Sequence, residues 1–242
     1  MPKISFVIPT RNRADMIREV LRSLQAQTER EWEAIVVEDY GCDGTEEVIH
    51  ELADGRICYL RLPDGRGCGV AAARNYGNLM AQSELLAVLD SDDIARPHRA
   101  ARALSSYAEH GWDFYCARQE TEGPLYGLPL TPAQNPPLRW DSELFKTVSY
   151  VTHSTVAYTK RAALEIPYNS ALALLEDYDL ISRFIELKKK MYRDSEVVVT
   201  YRRHPGSVTA THGRELRARY LHAIRGWRRW EAPSVDPRDL TD

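Results

Sequence analysis

Short apolar runs alternate with segments of helical spacing, and this alternation constrains the fold more than any other feature of the chain. Residues 3–9 (K-I-S-F-V-I-P), 32–39 (W-E-A-I-V-V-E-D), 57–62 (I-C-Y-L-R-L) and 85–90 (L-L-A-V-L-D) read as strands apolar enough to be buried on both faces. Between the first two, Met16, Val20, Leu21 and Leu24 recur at helical spacing within residues 15–27. Helical stretches follow at 45–52, after a D-G-T turn, at 70–80, and at 97–109 with Pro97 at its start. The alternation predicts an α/β fold, a Rossmann-like, doubly wound and mostly parallel sheet with right-handed crossovers. Such sheets bind ligands beyond the carboxyl ends of their strands.

The pattern delivers Pro9, Thr10 and Arg11, then Glu38 and Asp39, then Asp90, Asp92 and Asp93 to those ends. Three carboxylates in D-S-D-D repel one another, so they must be solvated, protonated or neutralised by a hard cation. A divalent metal is the natural partner; a solvated turn that caps the next helix is the alternative. The loop D-G-R-G-C-G before the third helix leads into a helix N-terminus suited to phosphate, with Arg66 and Arg74 adding positive charge. Gly67, Gly69 and Ala72 also spell G-x-G-x-x-A. In a dinucleotide fold that fingerprint follows the first strand, and here it follows the third.

A net charge of −3 with 28% charged residues argues against a general nucleic-acid binder. The 4 cysteines lack C-x-x-C spacing and residues 1–13 lack a signal-peptide apolar region, which reads as reduced thiols in a cytoplasmic protein. No apolar run approaches the roughly 20 residues that span a bilayer, so the expected membrane contact is at most peripheral, at the inner face.

Residues 112–118 read as a further strand, and residues 123–140 as a long Pro- and Gly-rich segment of the kind that forms lids or binding surfaces. Order returns at 150–158 and 162–166. In L-L-E-D-Y-D-L-I-S-R-F-I-E-L, Leu180, Ile181, Phe184 and Ile185 mark the buried face of a helix whose first turn carries Glu176, Asp177 and Asp179. Carboxylates there serve ordinary dipole chemistry as well. Residues 214–230 form a basic, aromatic, amphipathic pattern suited to a membrane surface, a lipid-linked acceptor, a subunit interface, or packing on its own domain.

Taken together, F-V-I-P-T-R-N-R, Q-T-E-R-E-W-E-A-I-V-V-E-D with D-G-T beyond it, A-A-R-N before L-D-S-D-D, L-E-D-Y-D-L and Y-R-R-H-P-G-S-V-T resemble the GT-A glycosyltransferases of family 2. These transfer sugars from nucleotide-sugar donors with inversion. Tyr40, Gly41 and Cys42 stand where the family more often has small polar residues. The resemblance implies a GT-A fold with a nucleotide-sugar-binding half at 1–118, an acceptor-binding and catalytic half at 119–213, and the amphipathic tail at 214–242.

It further implies a divalent ion, Mn2+ or Mg2+, held by Asp93, with His204 able to supply an imidazole nitrogen. Asp92 matches the residue that contacts the ribose or the metal's water shell, and Asp39 the one that receives the base N–H. Pro9, Thr10, Arg11 and Arg74 complete the donor set, while Asp90 supports the turn. Asp177 matches the general base that takes the proton from an acceptor hydroxyl, although Glu176 beside it remains open. His153 either borders the acceptor site or is a hydrogen-bonded core residue. The implied donor is a UDP-sugar, and the acceptor a saccharide, a lipid-linked molecule or a small molecule.

R-R-W resembles the Q-x-x-R-W signature of processive relatives, but Gly226 replaces the Gln and single addition is expected. The competing readings are a non-catalytic sugar-nucleotide-binding protein and a nucleotidyltransferase. The second would need a Gly-rich loop after the first strand, where Pro9-Thr10-Arg11-Asn12 stands.

Overall fold

The computed structural model describes residues 1–63, 68–124, 137–146, 149–208, 210–212, 215 and 219. Arg66 with most of its loop, most of the 123–140 segment and nearly all of the 214–230 helix lie outside the described residues. The elements run β1 (Ile4–Thr10), α1 (Ala14–Gln25), β2 (Trp32–Glu38), α2 (Thr45–Leu52), β3 (Ile57–Arg61), α3 (Val70–Met80), β4 (Leu85–Val88) and β5 (Ile94–Ala95). There follow α4 (Arg99–His110), β6 (Phe114–Glu122), α5 (Ser142–Phe145), a single 3-10 turn (His153–Thr155), β7 (Ala157–Thr159), α6 (Lys160–Glu165), α7 (Glu176–Glu186) and β8 (Met191–Arg202).

Among the described residues one eight-stranded sheet results, in the order β3-β2-β1-β4-β7-β6-β8-β5. β3, β2, β1 and β4 are parallel, as the alternation predicts. β7 departs from that pattern, running antiparallel to β4 and β6, and β5 runs antiparallel to β8. The strands are apolar on both faces because both faces are covered. Ile4, Phe6, Ile8, Ala34 and Val36 pack under α1, α2 and α4, while Ile35, Val37, Leu86 and Val88 pack under α3, α6 and α7.

Within α1 the core-facing residue is Ile17 rather than Met16, with Val20, Leu21 and Leu24 as expected. On α7, Tyr178 joins Leu180, Ile181 and Phe184 in the core, whereas Ile185 is only partly buried. Gly77 permits the close approach of α3 to the sheet: a Cβ there would lie 2.5 Å from Val7 Cγ1. No helix among the described residues is long and apolar enough to cross a membrane.

Candidate active site

The acids sit where two halves of the sheet meet. β4 ends at Val88, β5 begins at Ile94, and β5 pairs with β8 at the far end of the sheet order. The D-S-D-D segment therefore crosses the mouth of the fold between them. Asp93 is fully buried, and its Oδ1 accepts the Arg202 N–H at 3.0 Å while its Oδ2 has no hydrogen bond among the described residues. Burial, then the charges of Asp90 and Asp92, pushes the Asp93 carboxyl well above the usual range.

Asp92 Oδ2 lies 3.0 Å from His204 Nε2 and 3.6 Å from Arg13 Nη1. The Arg202 guanidinium ties the Asp92 carbonyl to β8. Burial opposes ionisation of Asp90, yet the Arg74 guanidinium at 2.8 Å holds its carboxyl below its ordinary value.

Asp39 lies at the end of β2 with both oxygens engaged. Oδ1 accepts the Cys68 N–H at 2.7 Å and Oδ2 the Gly69 N–H at 3.0 Å. It thus caps α3, whose start needs Gly69 at a φ of +87°. Its own N–H donates to the Thr10 carbonyl at 2.9 Å, which fixes the ends of β1 and β2 side by side. The Thr10 hydroxyl is buried and has no hydrogen bond among the described residues, and Pro9 beside it is buried too. Arg11 is exposed and forms no ion pair with these acids among the described residues. From the same loop, the guanidinium that reaches Asp92 belongs to Arg13.

On the opposite face of β2, Glu38 is buried and receives the Tyr59 hydroxyl. It lines a recess of about 150 Å³ with Gly41, Cys42 and Arg61. Tyr40, between Asp39 and this recess, is exposed and adopts a φ of +57°.

Arg74, expected to face phosphate, is buried between two carboxylates: Nη2 donates to Asp90 at 2.8 Å and Nη1 to Glu176 Oε1 at 2.7 Å. Although burial disfavours its charge, Asp90 keeps the guanidinium firmly protonated, and its Nε has no hydrogen bond among the described residues. α7 starts from Leu175 at a φ of +67°, a strained entry that sets the direction of its first turn. Asp179 turns back onto Arg183 at 2.6 Å within α7.

Asp177 is half-buried, and its Oδ1 accepts the Tyr178 N–H at 2.7 Å. Burial, then the Glu176 charge, raises its carboxyl to about 7. His153 is a buried, hydrogen-bonded residue, with Nε2 2.6 Å from the Tyr168 hydroxyl, and burial lowers it to about 3.

The structure thus brings Asp90, Asp92, Asp93, His204 and Arg13 to one point, and Arg74 links that point to Glu176 and Asp177. Sequence reasoning missed Arg13 and the central position of Arg202. The second was within reach, because Arg202 belongs to the Y-R-R-H motif.

Among the described residues no three His, Cys, Asp or Glu side chains converge to hold a metal by themselves. The donor set still fits a cation completed by ligand oxygens: a buried Asp93 Oδ2 with no hydrogen bond among the described residues stands beside two more carboxylates, in surroundings that penalise uncompensated charge.

The family model "Glycosyl transferase family 2" matches residues 5–161. An uncharacterized glycosyltransferase of Rickettsia typhi is 28% identical over 223 residues, covering 87% of this chain and 67% of the relative. The S. aureus TarS 1–349 structure in complex with UDP-GlcNAc superimposes with a TM-score of 0.73 at 20% identity, covering 93% of this chain and 66% of that one. A mannosyltransferase from Pyrobaculum calidifontis, in complex with GDP-Man and Mn2+, gives a TM-score of 0.70 at 16% identity, with coverage of 96% and 66%. These folds are GT-A. The chain spans about two thirds of the length of each of the three.

Proposed function

Since the chain belongs to glycosyl transferase family 2, we propose that it moves a sugar, with inversion and by single addition, from a nucleoside-diphosphate donor, a UDP-sugar, to an acceptor hydroxyl. Residues 1–118 hold the donor and residues 119–213 the acceptor and the base. The nucleotide-sugar ligands of TarS and of the Pyrobaculum enzyme support the donor class, and the Mn2+ of the second supports a metal. The free thiols of Cys42, Cys58 and Cys116 are compatible with a cytoplasmic location.

Asp93 and Asp92, with His204 at the edge, would hold Mn2+ or Mg2+ together with the donor's diphosphate. Bound there, the ion neutralises charge on the departing nucleoside diphosphate. Thr10 and the β2 end flank the nucleoside, and Asp39 gives the α3 start its shape while keeping lone pairs for a base N–H. Arg74 clamps Asp90 and Glu176, so the acid turn and the start of α7 keep a fixed separation. Asp177 takes the proton from the acceptor hydroxyl as its oxygen attacks the anomeric carbon.

The observation that carries this reading is the contrast between neighbours: Glu176 forms an ion pair with Arg74 at 2.7 Å, whereas Asp177 makes no ion pair among the described residues and, despite the nearby Arg74 charge, is raised to about 7 by burial and by Glu176. A carboxylate near that value is a working base at neutral pH. The test is a thermal-shift panel of nucleoside diphosphates with and without Mn2+. UDP should stabilise the protein mainly when Mn2+ is present, and Asp93→Ala should remove the metal-dependent part. Equal shifts for all nucleotides, independent of metal, would contradict the proposal.

A further inference from the structure

Three groups meet at the edge of the acid cluster. Arg13 Nη1 is 3.1 Å from His204 Nε2 and 3.6 Å from Asp92 Oδ2, and those two atoms are themselves 3.0 Å apart. Arg13 Nη2 also donates to the Gly206 carbonyl at 3.0 Å. The side chain thus reaches from the β1–α1 loop to the H-P-G-S turn that follows β8.

The chemistry of Nε2 decides what this arrangement is. A neutral imidazole nitrogen carries either a proton or a lone pair, so Nε2 cannot donate to Asp92 and accept from Arg13 together. With Nε2–H pointing at Asp92, the Arg13 charge is held by the same carboxylate oxygen. If Nε2 turned its lone pair inward it would face an ionised carboxylate, which only a cation between them makes favourable. Arg13 supplies a positive charge beside that position, and its guanidinium and a metal ion repel each other across these few ångströms.

We propose that Arg13 is a resident counter-ion for the metal pole of the site, exchanged for the divalent ion when the donor binds, and that the released guanidinium re-pairs with the donor's diphosphate. The proposal rests on the metal-dependent donor reading given above. Arg13 is placed for this exchange because it lies three residues past Thr10, in the loop that borders the donor crevice, and a guanidinium suits two phosphate oxygens at once. Leaving Asp92 also frees the Gly206 carbonyl, so donor binding and the position of the H-P-G-S turn are linked through one side chain. A purely structural strap between α1 and this turn would have no reason to share Asp92 Oδ2 with His204.

The experiment measures two affinities on wild type and Arg13→Gln, with folding checked by the denaturation midpoint. The first is that of Mn2+ alone, by the loss of free-ion paramagnetic signal. The second is that of UDP at saturating Mn2+, by calorimetry. Removing a competing positive charge should tighten Mn2+ binding about tenfold. Removing a phosphate partner should weaken UDP about tenfold.

These opposite signs are the signature. Mn2+ binding unchanged or weaker in Arg13→Gln overturns the exchange while leaving the metal reading intact. Absence of Mn2+ binding by wild type, with or without UDP, overturns the metal reading and the exchange with it. Should Arg13→Gln fail to fold, Arg13→Lys carries the test: it keeps the charge but not the fork. It should bind Mn2+ as wild type does and UDP more weakly, and a gain in Mn2+ affinity there overturns the proposal.

Discussion

Arg74 donates to Glu176 Oε1 at 2.7 Å, and this contact gives two adjacent carboxylates different surroundings. Glu176 is held as part of a buried ion pair, and Asp177 is left to titrate near neutrality. The same guanidinium reaches Asp90, so a single side chain spans from the acid turn to the start of α7.

Breaking that span should be costly. Arg74→Met leaves two carboxylates without their counter-charge, and removing one partner of a buried pair costs about 3 kcal/mol. Arg74→Lys keeps the charge but cannot fork to both acids, so it should recover part of the stability and little of the turnover. Urea midpoints and turnover of the two variants check this; a Lys variant with full activity would mean the fork is dispensable.

Asp177 gives the protein a predictable pH response. A carboxyl raised to about 7 must lose its proton to act as a base, so turnover should rise with pH and level off above about 7. Stability runs the other way. The folded state holds this proton more tightly than the unfolded chain, whose Asp titrates near 3.9, so the contribution is complete below about pH 4 and lost as pH rises through about 7. Asp177→Asn should therefore gain stability relative to wild type between pH 5 and pH 8, as read from paired denaturation curves. A constant difference across that interval would place the carboxyl at its ordinary value.

The packing of α3 offers a test independent of chemistry. Gly77→Ala would improve helix propensity by about 1 kcal/mol, but its Cβ would meet Val7 Cγ1 at 2.5 Å and Val37 Cγ2 at 3.2 Å. Overpacking of this kind costs about 1–3 kcal/mol, so a net loss of stability is expected in urea melts. A stabilised variant would show that the two valines yield without cost.

The parallel half of the sheet was legible because β1, β2 and β4 are apolar on both faces, and their ends placed Asp39 and Asp90 to Asp93 at one rim. β8 was not foreseen. Near its start it carries Arg193 and Asp194, which are buried by partners distant in sequence: Asp194 pairs with Arg102 at 2.9 Å and accepts the Tyr115 hydroxyl at 3.2 Å. Periodicity registers such residues as polar and cannot see those partners. β7, at three residues, is too short to show any period.

That Arg13, and not Arg11, reaches Asp92 was hidden for a related reason. Asn12 adopts a φ of +51°, which turns the chain after β1 so that side-chain directions no longer follow the strand. The cap that Asp39 provides to Cys68 and Gly69 joins residues about 30 apart, and nothing in their spacing announces it. The sequence did single out the acids, but which of Glu176 and Asp177 is ion-paired depends on where Arg74 points, and that is a tertiary property.

The most direct measurement is the release of UDP from a UDP-sugar panel with Mn2+ by wild type, Asp177→Asn and Glu176→Gln, with UDP affinity determined for each. If Asp177 is the base, Asp177→Asn should bind UDP almost as wild type does and release it about 10²-fold more slowly or worse, while Glu176→Gln should lose stability with Arg74 left to Asp90 alone yet keep more turnover per folded molecule. Near-normal release by Asp177→Asn, with Glu176→Gln inactive though folded, would contradict the assignment.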